Sequence, residues 1–345
     1  MKVTPIHRET TRQGIYHEIL HTGQHYDAEL AANFEREFNL PKPIANLRVG
    51  SSRQAVQLAD VIAGVDRQIE VTQPDFILVY GDTNSTAGAA IAAAKNNIPL
   101  VHVEAGLREF RKDVPEEINK LLIDSISDIH CCPTIAAVEQ LKKEGKTDSI
   151  LFSGDIVLDT ITHAHEKINA VDSVLTRKLN NEKYYFATIH RAANTNNKQR
   201  LKSIVQAFLD LPHQVVFAVH PRTRNALQAF NLWDELQIDQ IYTVGSRPFY
   251  ETQWLISHAE LTLTDSGGIS KESFFHKTGC LLLDEQIEWK ELVDSGWINV
   301  CGTETQNILT AASSFVRPHV EEAIFGYGNA AELIINEIKK HHASR

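Results

Sequence analysis

Three carboxylates in the first half of the chain stand at the boundaries of predicted strands and helices. Asp82 follows the apolar run 76–80, Glu104 follows the run 100–103, and Glu116 opens a segment with helical periodicity. If the runs are parallel strands, their carboxyl ends share one edge of a sheet, where carboxylates can act as proton donor and acceptor. Helix capping is the alternative explanation for Asp82 and Glu116, because helix N-termini favour negative charge. It does not apply to Glu104.

A glycine-containing turn stands at a comparable place in the second half. Ser266, Gly267 and Gly268 follow the apolar run 261–264 and open a segment of helical period. The first turn of a helix presents unpaired amides to an anion, and two glycines would let a phosphate approach the backbone. Glu272, one turn further on, could then reach a ribose diol. An ordinary capped helix is the alternative, and the motif alone does not decide between the two.

Two histidines follow successive predicted strands of the same half. His190 and Arg191 end one strand and His220 ends the next, so all three should lie at the edge that carries the glycine turn. Arginine has the fork shape that suits phosphate, and histidine can donate to a leaving oxygen. A structural histidine is the alternative for each. Phe249 offers a face for a flat base, although taken alone it is more simply a core residue.

The order of apolar runs predicts an α/β protein with parallel sheets covered by helices on both faces. The predicted strands are 16–21, 76–80, 100–103, 128–132, 184–188, 215–219, 241–244, 261–264 and 279–283, and the predicted helices include 85–95 and 116–127.

The length predicts two Rossmann-like domains, because 345 residues exceed what one core usually holds. We expect an N-terminal domain at 1–160 and a C-terminal domain at 161–328, with the last helix, 329–340, crossing back to the first domain. Two doubly wound domains in tandem would leave a cleft between their strand carboxyl ends, where ligands of such folds bind.

Composition excludes several functions. A net charge of −10 argues against a surface that binds nucleic acid or anionic lipid. The four cysteines have no metal spacing and indicate a reducing, cytoplasmic location, and no apolar stretch is long enough for a membrane span. We expect no metal site, and the glycine patterns of dinucleotide and Walker sites are absent.

Seven stretches resemble the non-hydrolysing UDP-N-acetylglucosamine 2-epimerases, including the branch that acts on the diacetamido-glucuronate analogue. They are 21–27, 81–86, 103–108, 115–119, 189–194, 219–222 and 263–268. They occur in the family's order over nearly the whole chain, so the series is far more specific than any single motif.

The resemblance implies the GT-B architecture, two Rossmann-like domains that close on a UDP-sugar, and a homodimer without cofactor or required metal. It also implies the reaction, in which C2 loses its proton, UDP leaves C1 to give a glycal, and both add back with C2 inverted. Because the C2 proton is not acidic, cleavage of the C1–O bond must run ahead. Stabilisation of the leaving diphosphate therefore carries much of the barrier.

The same resemblance assigns roles to individual residues. The acid/base carboxylates would be Asp82, Glu104 and Glu116, and His190 would be the family's catalytic cleft histidine. The substrate-binding set would be Lys2 near the diphosphate, Lys120, His220, Phe249 at the uracil, Ser266, Gly267, Gly268 and Glu272. A second UDP-N-acetylglucosamine, which activates bacterial members, would lie at Gln24 and Arg191.

The sequence departs from the family pattern at several places. The opening strand and its Gly-Thr/Ala-Arg-Pro turn do not appear, so the start looks truncated. Lys120 stands where arginine is usual, and Ala193 replaces a glutamate. Asp284 and Ile287 stand where the family has arginine and threonine. Each change loses a fork-shaped contact or a polar partner.

Two other functions are compatible with these motifs. A catalytically degenerate member would bind a UDP-sugar without turning it over. A glycosyltransferase of the same architecture would grip a diphosphate with the same helix end, although three carboxylates in the first domain are more than a retaining transferase needs.

Overall fold

The structure, a computed structural model, describes residues 1–24, 37–111, 113–319 and 323–344. The chain divides into two compact units. Unit 1 comprises Met1–Thr162 and Ala323–Arg345, and unit 2 comprises His163–Glu322. Residues 25–27, which belong to the first of the seven motif stretches, lie outside the described residues.

Unit 1 alternates strands and helices, as the apolar pattern predicts. Its described strands are β1 (Leu20–His21), β2 (Ala45–Asn46), β3 (Ile77–Tyr80), β4 (Leu100–Val103), β5 (Ile129–Cys132) and β6 (Ile150–Phe152). Its described helices are α1 (Val3–Arg12), α2 (Gln54–Thr72), α3 (Asn84–Lys95), α4 (Pro115–Ile126), α5 (Ile135–Lys143) and the first half of α6 (Ile156–Asn169).

The main sheet of unit 1 is parallel, with the order β3-β4-β5-β6, and β1 and β2 form a separate parallel pair. Strands β4 and β5 are buried along their whole length, which explains their continuous apolar sequence. Small residues on α3 allow close helix packing, since a Cβ at Gly88 would stand 2.6 Å from Val61 Cγ1 on α2. Because the strands of the main sheet are parallel, their carboxyl ends share one edge, and residues 81–82 and 104 lie there directly after their strands.

The last helix of the chain packs within unit 1. This helix, α15 (Ala330–Ala343), begins at two backbone amides that both donate to the buried Asp159 carboxylate, at 2.9 and 2.8 Å. Arg12 of α1 lies 3.6 Å from Glu332 of α15.

Unit 2 is a six-stranded parallel sheet flanked by helices. Its strands are β7 (Tyr184–Thr188), β8 (Gln214–Ala218), β9 (Ile241–Val244), β10 (Leu261–Thr264), β11 (Gly279–Leu282) and β12 (Ile298–Val300). Its helices after α6 are α7 (Val174–Leu179), α8 (Ala192–Thr195), α9 (Lys198–Asp210), α10 (Pro221–Ala229), α11 (Phe249–Ser257), α12 (Gly267–Phe275), α13 (Lys290–Asp294) and α14 (Thr305–Ser314), with a 3₁₀ turn at Asp234–Leu236.

The strand order of unit 2 is β9-β8-β7-β10-β11-β12, which is the doubly wound Rossmann order. The order reverses between β7 and β10, whose residues pair from Tyr185 with Leu261 to Thr188 with Thr264. Connections leave these two strands in opposite directions, so the loops at their carboxyl ends separate and leave a crevice. Ligands of such sheets bind at this switch point.

Most predicted strands are confirmed to within one residue at each end. The exception is 16–21, of which only Leu20 and His21 form a strand, because Tyr16 is 86% exposed and its hydroxyl bonds to Glu18. Strands β2, β6 and β12 were not predicted, since two or three residues are too few to establish an alternating pattern.

Candidate functional site

The turn after β3 carries Asp82 and is fixed by bonds to its backbone. Gly81 adopts a φ of +69°, which glycine allows at no steric cost. The Gly81 carbonyl lies 2.8 Å from His102 Nε2, and the Asp82 carbonyl accepts a hydrogen bond of 2.8 Å from Asn119 Nδ2. Strand β4 and helix α4 therefore hold this turn from two sides.

Each of two predicted acid/base carboxylates lies beside a lysine ammonium. Lys2 Nζ lies 2.5 Å from Glu104 Oε2, and Lys120 Nζ lies 3.4 Å from Asp82 Oδ2. Lys120 also binds Glu109 at 2.8 Å. A Cβ at Gly81 would stand 3.3 Å from Glu104 Oε2 and 3.4 Å from Lys2 Nζ, so the glycine backbone borders the first ion pair. Lys2 is thus held at a carboxylate of its own unit.

Glu104 has a backbone conformation that is rare for a residue with a side chain. Its φ is +73°, a left-handed value that costs on the order of 1–3 kcal/mol. The Glu104 and Ala105 amides both donate to the Cys131 carbonyl, at 3.0 and 3.1 Å, and thereby stabilise the turn. Strain maintained by surrounding bonds is typical of functional sites. The left-handed turn aims the carboxylate at the edge of the sheet instead of continuing the strand.

Helix α4 brings three charged residues onto one face. Glu116, Lys120 and Asp124 are spaced four residues apart, which places them one above the other. Glu116 is exposed at the first turn, whereas Lys120 and Asp124 are buried. Gln24, the remaining candidate of unit 1, accepts hydrogen bonds from the Ser85 amide at 2.9 Å and the Ser85 hydroxyl at 2.6 Å.

At the switch point of unit 2, Asp265 joins the ends of β7 and β10. Its carboxylate is fully buried and accepts hydrogen bonds from the His190 amide at 3.0 Å, the Arg191 amide at 3.0 Å and Asn194 Nδ2 at 2.9 Å. The His190 ring lies against the same carboxylate, with Nδ1 at 3.4 Å from Oδ1. Asp265 therefore sets the position of the histidine relative to the glycine turn.

The two glycines of the turn have different surroundings. Ser266 caps α12 by accepting from the Ile269 amide at 3.3 Å. A Cβ at Gly267 would stand 1.6 Å from Glu288 Oε2, so the Glu288 side chain occupies the space beside this glycine. A Cβ at Gly268 would meet nothing closer than Ser266 Oγ at 3.8 Å. Of the two glycines, Gly268 is the one whose backbone an anion can approach.

A buried chain of hydrogen bonds leads from Glu272 into the protein. Gln253 Nε2 donates to Glu272 Oε2 at 2.6 Å, and Gln253 Oε1 lies 2.8 Å from His276 Nε2. Burial lowers the pKa of His276 to about 4, with smaller contributions from His165 and His258. The neutral His276 donates to the Gln253 oxygen, and Gln253 is therefore oriented with its amide towards the Glu272 carboxylate.

Arg191 is paired with two carboxylates beside the glycine turn. Its guanidinium lies 3.1 Å from Asp284 Oδ2 and 3.4 Å from Glu288 Oε2. Asp284 is 4% exposed, and its other oxygen accepts from the Glu285 and Gln286 amides at 2.7 and 3.2 Å. The acidic residue at 284 is therefore a satisfied partner of Arg191. Of the other changed positions, Ala193 and Ile287 are exposed, whereas Lys120 is buried.

The two predicted histidines of unit 2 lie together. The rings of His190 and His220 have centroids 5.9 Å apart. Burial, the His190 charge and the Arg222 charge lower the pKa of His220, whose Nδ1 accepts from the Arg222 amide at 3.1 Å. Phe249 opens α11 and is 7% exposed.

Sequence reasoning did not identify several residues that hold these groups in place. They are His102, Asn119, Asp124, Asn194, Gln253 and Glu288. A histidine inside the buried strand β4 was the available signal, because a buried imidazole needs polar partners. Within the described ranges, no group of three or more His, Cys, Asp or Glu side chains could hold a metal ion. No described helix is long and apolar enough to cross a membrane.

Comparison with known proteins identifies the family. The family model described as UDP-N-acetylglucosamine 2-epimerase matches residues 8–339. This chain belongs to that family.

Relatives in archaea and bacteria cover nearly the same length. A UDP-N-acetylglucosamine 2-epimerase homolog of Methanococcus maripaludis is 37% identical, over 98% of this chain and 96% of the relative. The UDP-2,3-diacetamido-2,3-dideoxy-D-glucuronate 2-epimerase of Pseudomonas aeruginosa is 34% identical, over 93% of this chain and 91% of the relative.

Solved structures of the epimerase family match the fold. The Methanocaldococcus jannaschii UDP-GlcNAc 2-epimerase, crystallised with UDP-GlcNAc and UDP, has a TM-score of 0.87 at 32% identity, covering 98% of this chain and 96% of that one. A spinosyn rhamnosyltransferase shares only the fold, with a TM-score of 0.54 at 14% identity. The expected GT-B class, with two Rossmann-like parts built on parallel sheets, is therefore confirmed.

Proposed function

We propose that this chain interconverts UDP-N-acetylglucosamine and UDP-N-acetylmannosamine. In the elimination, a carboxylate takes the C2 proton, the C2–H electrons form the C1=C2 bond, and the C1–O electron pair leaves with UDP. Re-addition of UDP and delivery of a proton to the opposite face of C2 complete the inversion. The reaction is redox neutral, and its demands are an acid/base pair and stabilisation of the leaving diphosphate.

The observation that carries this proposal is the set of carboxylates at the strand ends of unit 1. Asp82 and Glu104 each follow a parallel strand and each pair with a lysine, at 3.4 and 2.5 Å. Simple UDP binding would need neither group. We assign proton transfer at C2 to Asp82, Glu104 and Glu116, and Lys2 and Lys120 to charge balance beside them.

Unit 2 is proposed to hold the UDP. The exposed backbone at Gly268 and the amides of α12 would receive the diphosphate, because the positive end of a helix binds phosphate. Ser266, Gly267 and His190 would border this anion, with His220 nearby. Glu272 would accept from the ribose, and Phe249 would face the uracil.

The test is exchange of the C2 hydrogen in D₂O. Proton NMR of UDP-N-acetylglucosamine incubated with the protein should show loss of the C2–H signal and appearance of the manno epimer. Asp82→Asn should slow exchange by about 10²-fold or more, the range expected for removal of an acid/base group.

Glu109→Gln is the matched control, because Glu109 and Asp82 share Lys120 and both side chains are 33% exposed. Its exchange rate should stay within about threefold of wild type, because Glu109 has no proposed role in proton transfer and Lys120 keeps its contact with Asp82. UDP binding without exchange would instead indicate a binding protein, and exchange equally slowed in both variants would refute the role of Asp82.

A second candidate substrate is UDP-2,3-diacetamido-2,3-dideoxy-D-glucuronate. The 34% identical relative from Pseudomonas aeruginosa favours it. The same NMR experiment with both sugars at equal concentration gives the ratio of their kcat/KM values. The sugar with the larger value is the preferred substrate.

We also propose a homodimer and a second UDP-N-acetylglucosamine that activates near Gln24 and Arg191. Exposed Ile118 and Leu121, on successive turns of α4, support an association surface on unit 1. Light scattering of wild type and Ile118→Glu tests the dimer, and a sigmoidal rate curve tests activation. The four free, buried cysteines support a cytoplasmic location, which cell fractionation would test.

A further inference from the structure

A buried cluster of charged side chains lies directly behind the carboxylates of unit 1. His102 Nδ1 is 2.6 Å from Asp124 Oδ1, and Arg108 Nη1 is 2.7 Å from Asp124 Oδ2. All three side chains are at most 2% exposed. Arg108 also donates two hydrogen bonds to the Glu144 carboxylate, of 2.8 and 2.7 Å. Each carboxylate of the cluster thus has a basic partner, as burial requires.

The bonding pattern determines the hydrogens on His102. Its Nε2 faces the Gly81 carbonyl at 2.8 Å, and a carbonyl can only accept. Its Nδ1 faces Asp124, whose second oxygen accepts from Arg108 and, at 3.1 Å, from the Gly106 amide. Burial raises the pKa of Asp124, but the bonds and charges of His102 and Arg108 outweigh it, and the net pKa is lowered. The geometry therefore makes both nitrogens of His102 donors, Nε2 to the Gly81 carbonyl and Nδ1 to the Asp124 carboxylate.

His102 connects the three elements that carry the proposed acid/base groups. It stands two residues before Glu104 on β4, it binds the carbonyl immediately before Asp82, and it binds α4 two turns after Glu116. We propose that His102 is a positioning residue, which holds these three carboxylates in a fixed mutual arrangement through Gly81 and Asp124. This inference rests on the proposed function.

The loop that follows Glu104 is held by the same cluster. Asp124 Oδ2 accepts from the Gly106 amide at 3.1 Å, while Asp124 Oδ1 lies 2.6 Å from His102 Nδ1. The left-handed backbone at Glu104, with φ of +73°, persists only where its neighbours are fixed. Loss of His102 leaves the Gly81 carbonyl without this donor and releases the Asp82 turn. A displacement of about 1 Å at a reacting group costs on the order of 10²-fold in rate.

The experiment compares two variants of His102 with a neighbouring control. His102→Leu removes both donors, whereas the amide of His102→Gln reaches as far as Nε2 and can still donate to Gly81. His130→Gln is the control, because His130 pairs directly with His102 across β4 and β5, is 2% exposed and binds the Asp124 backbone carbonyl instead of either turn. Each variant is measured for kcat, KM, UDP affinity and melting temperature.

We expect His102→Leu to lower kcat by about 10²-fold with UDP affinity within about threefold of wild type, because UDP is assigned to unit 2. The kcat of His102→Gln should be at least about tenfold higher than that of His102→Leu. His130→Gln should lower the melting temperature and leave kcat within about threefold. A folded His102→Leu protein with wild-type kcat, or an equal loss of kcat in His130→Gln, would overturn the assignment.

A readout without turnover separates this inference from the proposed function. Amide hydrogen exchange of residues 81–86 and 104–106 should accelerate by about tenfold or more in His102→Leu and stay unchanged in His130→Gln. If wild type shows no C2 exchange, the proposed function fails while this result still decides the positioning role. Should His102→Leu not fold, Asp124→Asn is measured, and it should accelerate the same amides.

Discussion

The two glycines at the start of α12 lead to a prediction with opposite signs for stability and binding. Gly268→Ala adds a methyl group that meets nothing within 3.4 Å in the protein, because Ser266 Oγ, at 3.8 Å, is the nearest atom. Alanine is favoured over glycine in a helix by about 0.5–1 kcal/mol, so the unliganded protein should become more stable by up to that amount. An anion that approaches the Gly268 backbone would meet the new methyl group.

The expected loss of binding follows from that contact. If a diphosphate oxygen lies against the Gly268 backbone, the methyl group must displace it, and we expect the Kd for UDP to rise by about tenfold or more, or about 1.4 kcal/mol. Isothermal titration calorimetry gives the Kd, and urea unfolding of the unliganded protein gives the free energy of unfolding. Both are measured at one ionic strength, because phosphate contacts weaken with salt.

Gly267→Ala is the matched control in the same turn. Its methyl group would stand 1.6 Å from Glu288 Oε2, so the flexible Glu288 side chain must swing away and its 3.4 Å contact with Arg191 breaks. A partly exposed ion pair is worth about 0–1 kcal/mol and the helix gain is similar, so stability should change by less than about 1 kcal/mol. The double variant Gly267→Ala with Glu288→Ala removes the overlap.

One result refutes the reasoning outright. If Gly268→Ala becomes more stable but binds UDP with unchanged Kd, the anion does not approach this helix end, and the assignment of the diphosphate to α12 is wrong. A loss of stability in Gly268→Ala would instead contradict the open space that the structure shows beside this residue.

Three further predictions concern unit 2. Burial lowers the pKa of His276 from 6.5 to about 4, so the unfolded chain binds a proton more readily than the folded one between these pH values. The free energy of unfolding should therefore be highest above pH 6.5 and fall by up to about 3 kcal/mol as the pH falls to 4. Urea unfolding measured against pH should show this slope in wild type and not in His276→Asn. Asp265→Asn leaves one buried amide at His190 or Arg191 facing an NH₂ group, which should cost about 1–3 kcal/mol in urea unfolding. Asp284→Asn removes one of the two carboxylates that pair with Arg191, so calorimetry should show a Kd for UDP that is lower by a few-fold. An unchanged Kd would indicate that Arg191 remains paired with Glu288.

The sequence was sufficient for the strand ends that carry the candidate site. Fully buried strands such as β4 and β10 have continuous apolar sequences, and the residues that follow them must lie at a common sheet edge. The start of α12 at Ser266 followed from the cap and the glycines. These features are local in sequence, and a local pattern determines them.

The contacts that orient the site could not be predicted, because they join residues far apart in the chain. Lys120 reaches Asp82 across 38 positions, and Arg108 reaches Glu144 across 36. Gly267 also illustrates the limit. Its sequence position suggested room for a phosphate, whereas the structure fills that room with the carboxylate of Glu288. Which glycine serves the ligand and which serves packing depends on a side chain 21 positions away.

The acidic residue at 284, where the resemblance implies an arginine, is best understood together with Arg191. A buried carboxylate needs compensation, and Asp284 has it from the guanidinium at 3.1 Å and from two backbone amides. An arginine at 284 would bring two like charges together at this spot, so the acidic residue and Arg191 form one charge-balanced unit. The cost is that Arg191 offers little net positive charge to a diphosphate, since Glu288 binds it as well. We therefore expect anion binding in this chain to depend mainly on the amides of α12, whose dipole acts only at short range. Affinity for UDP should accordingly respond more to the backbone at Gly268 than to any single arginine or lysine of unit 2.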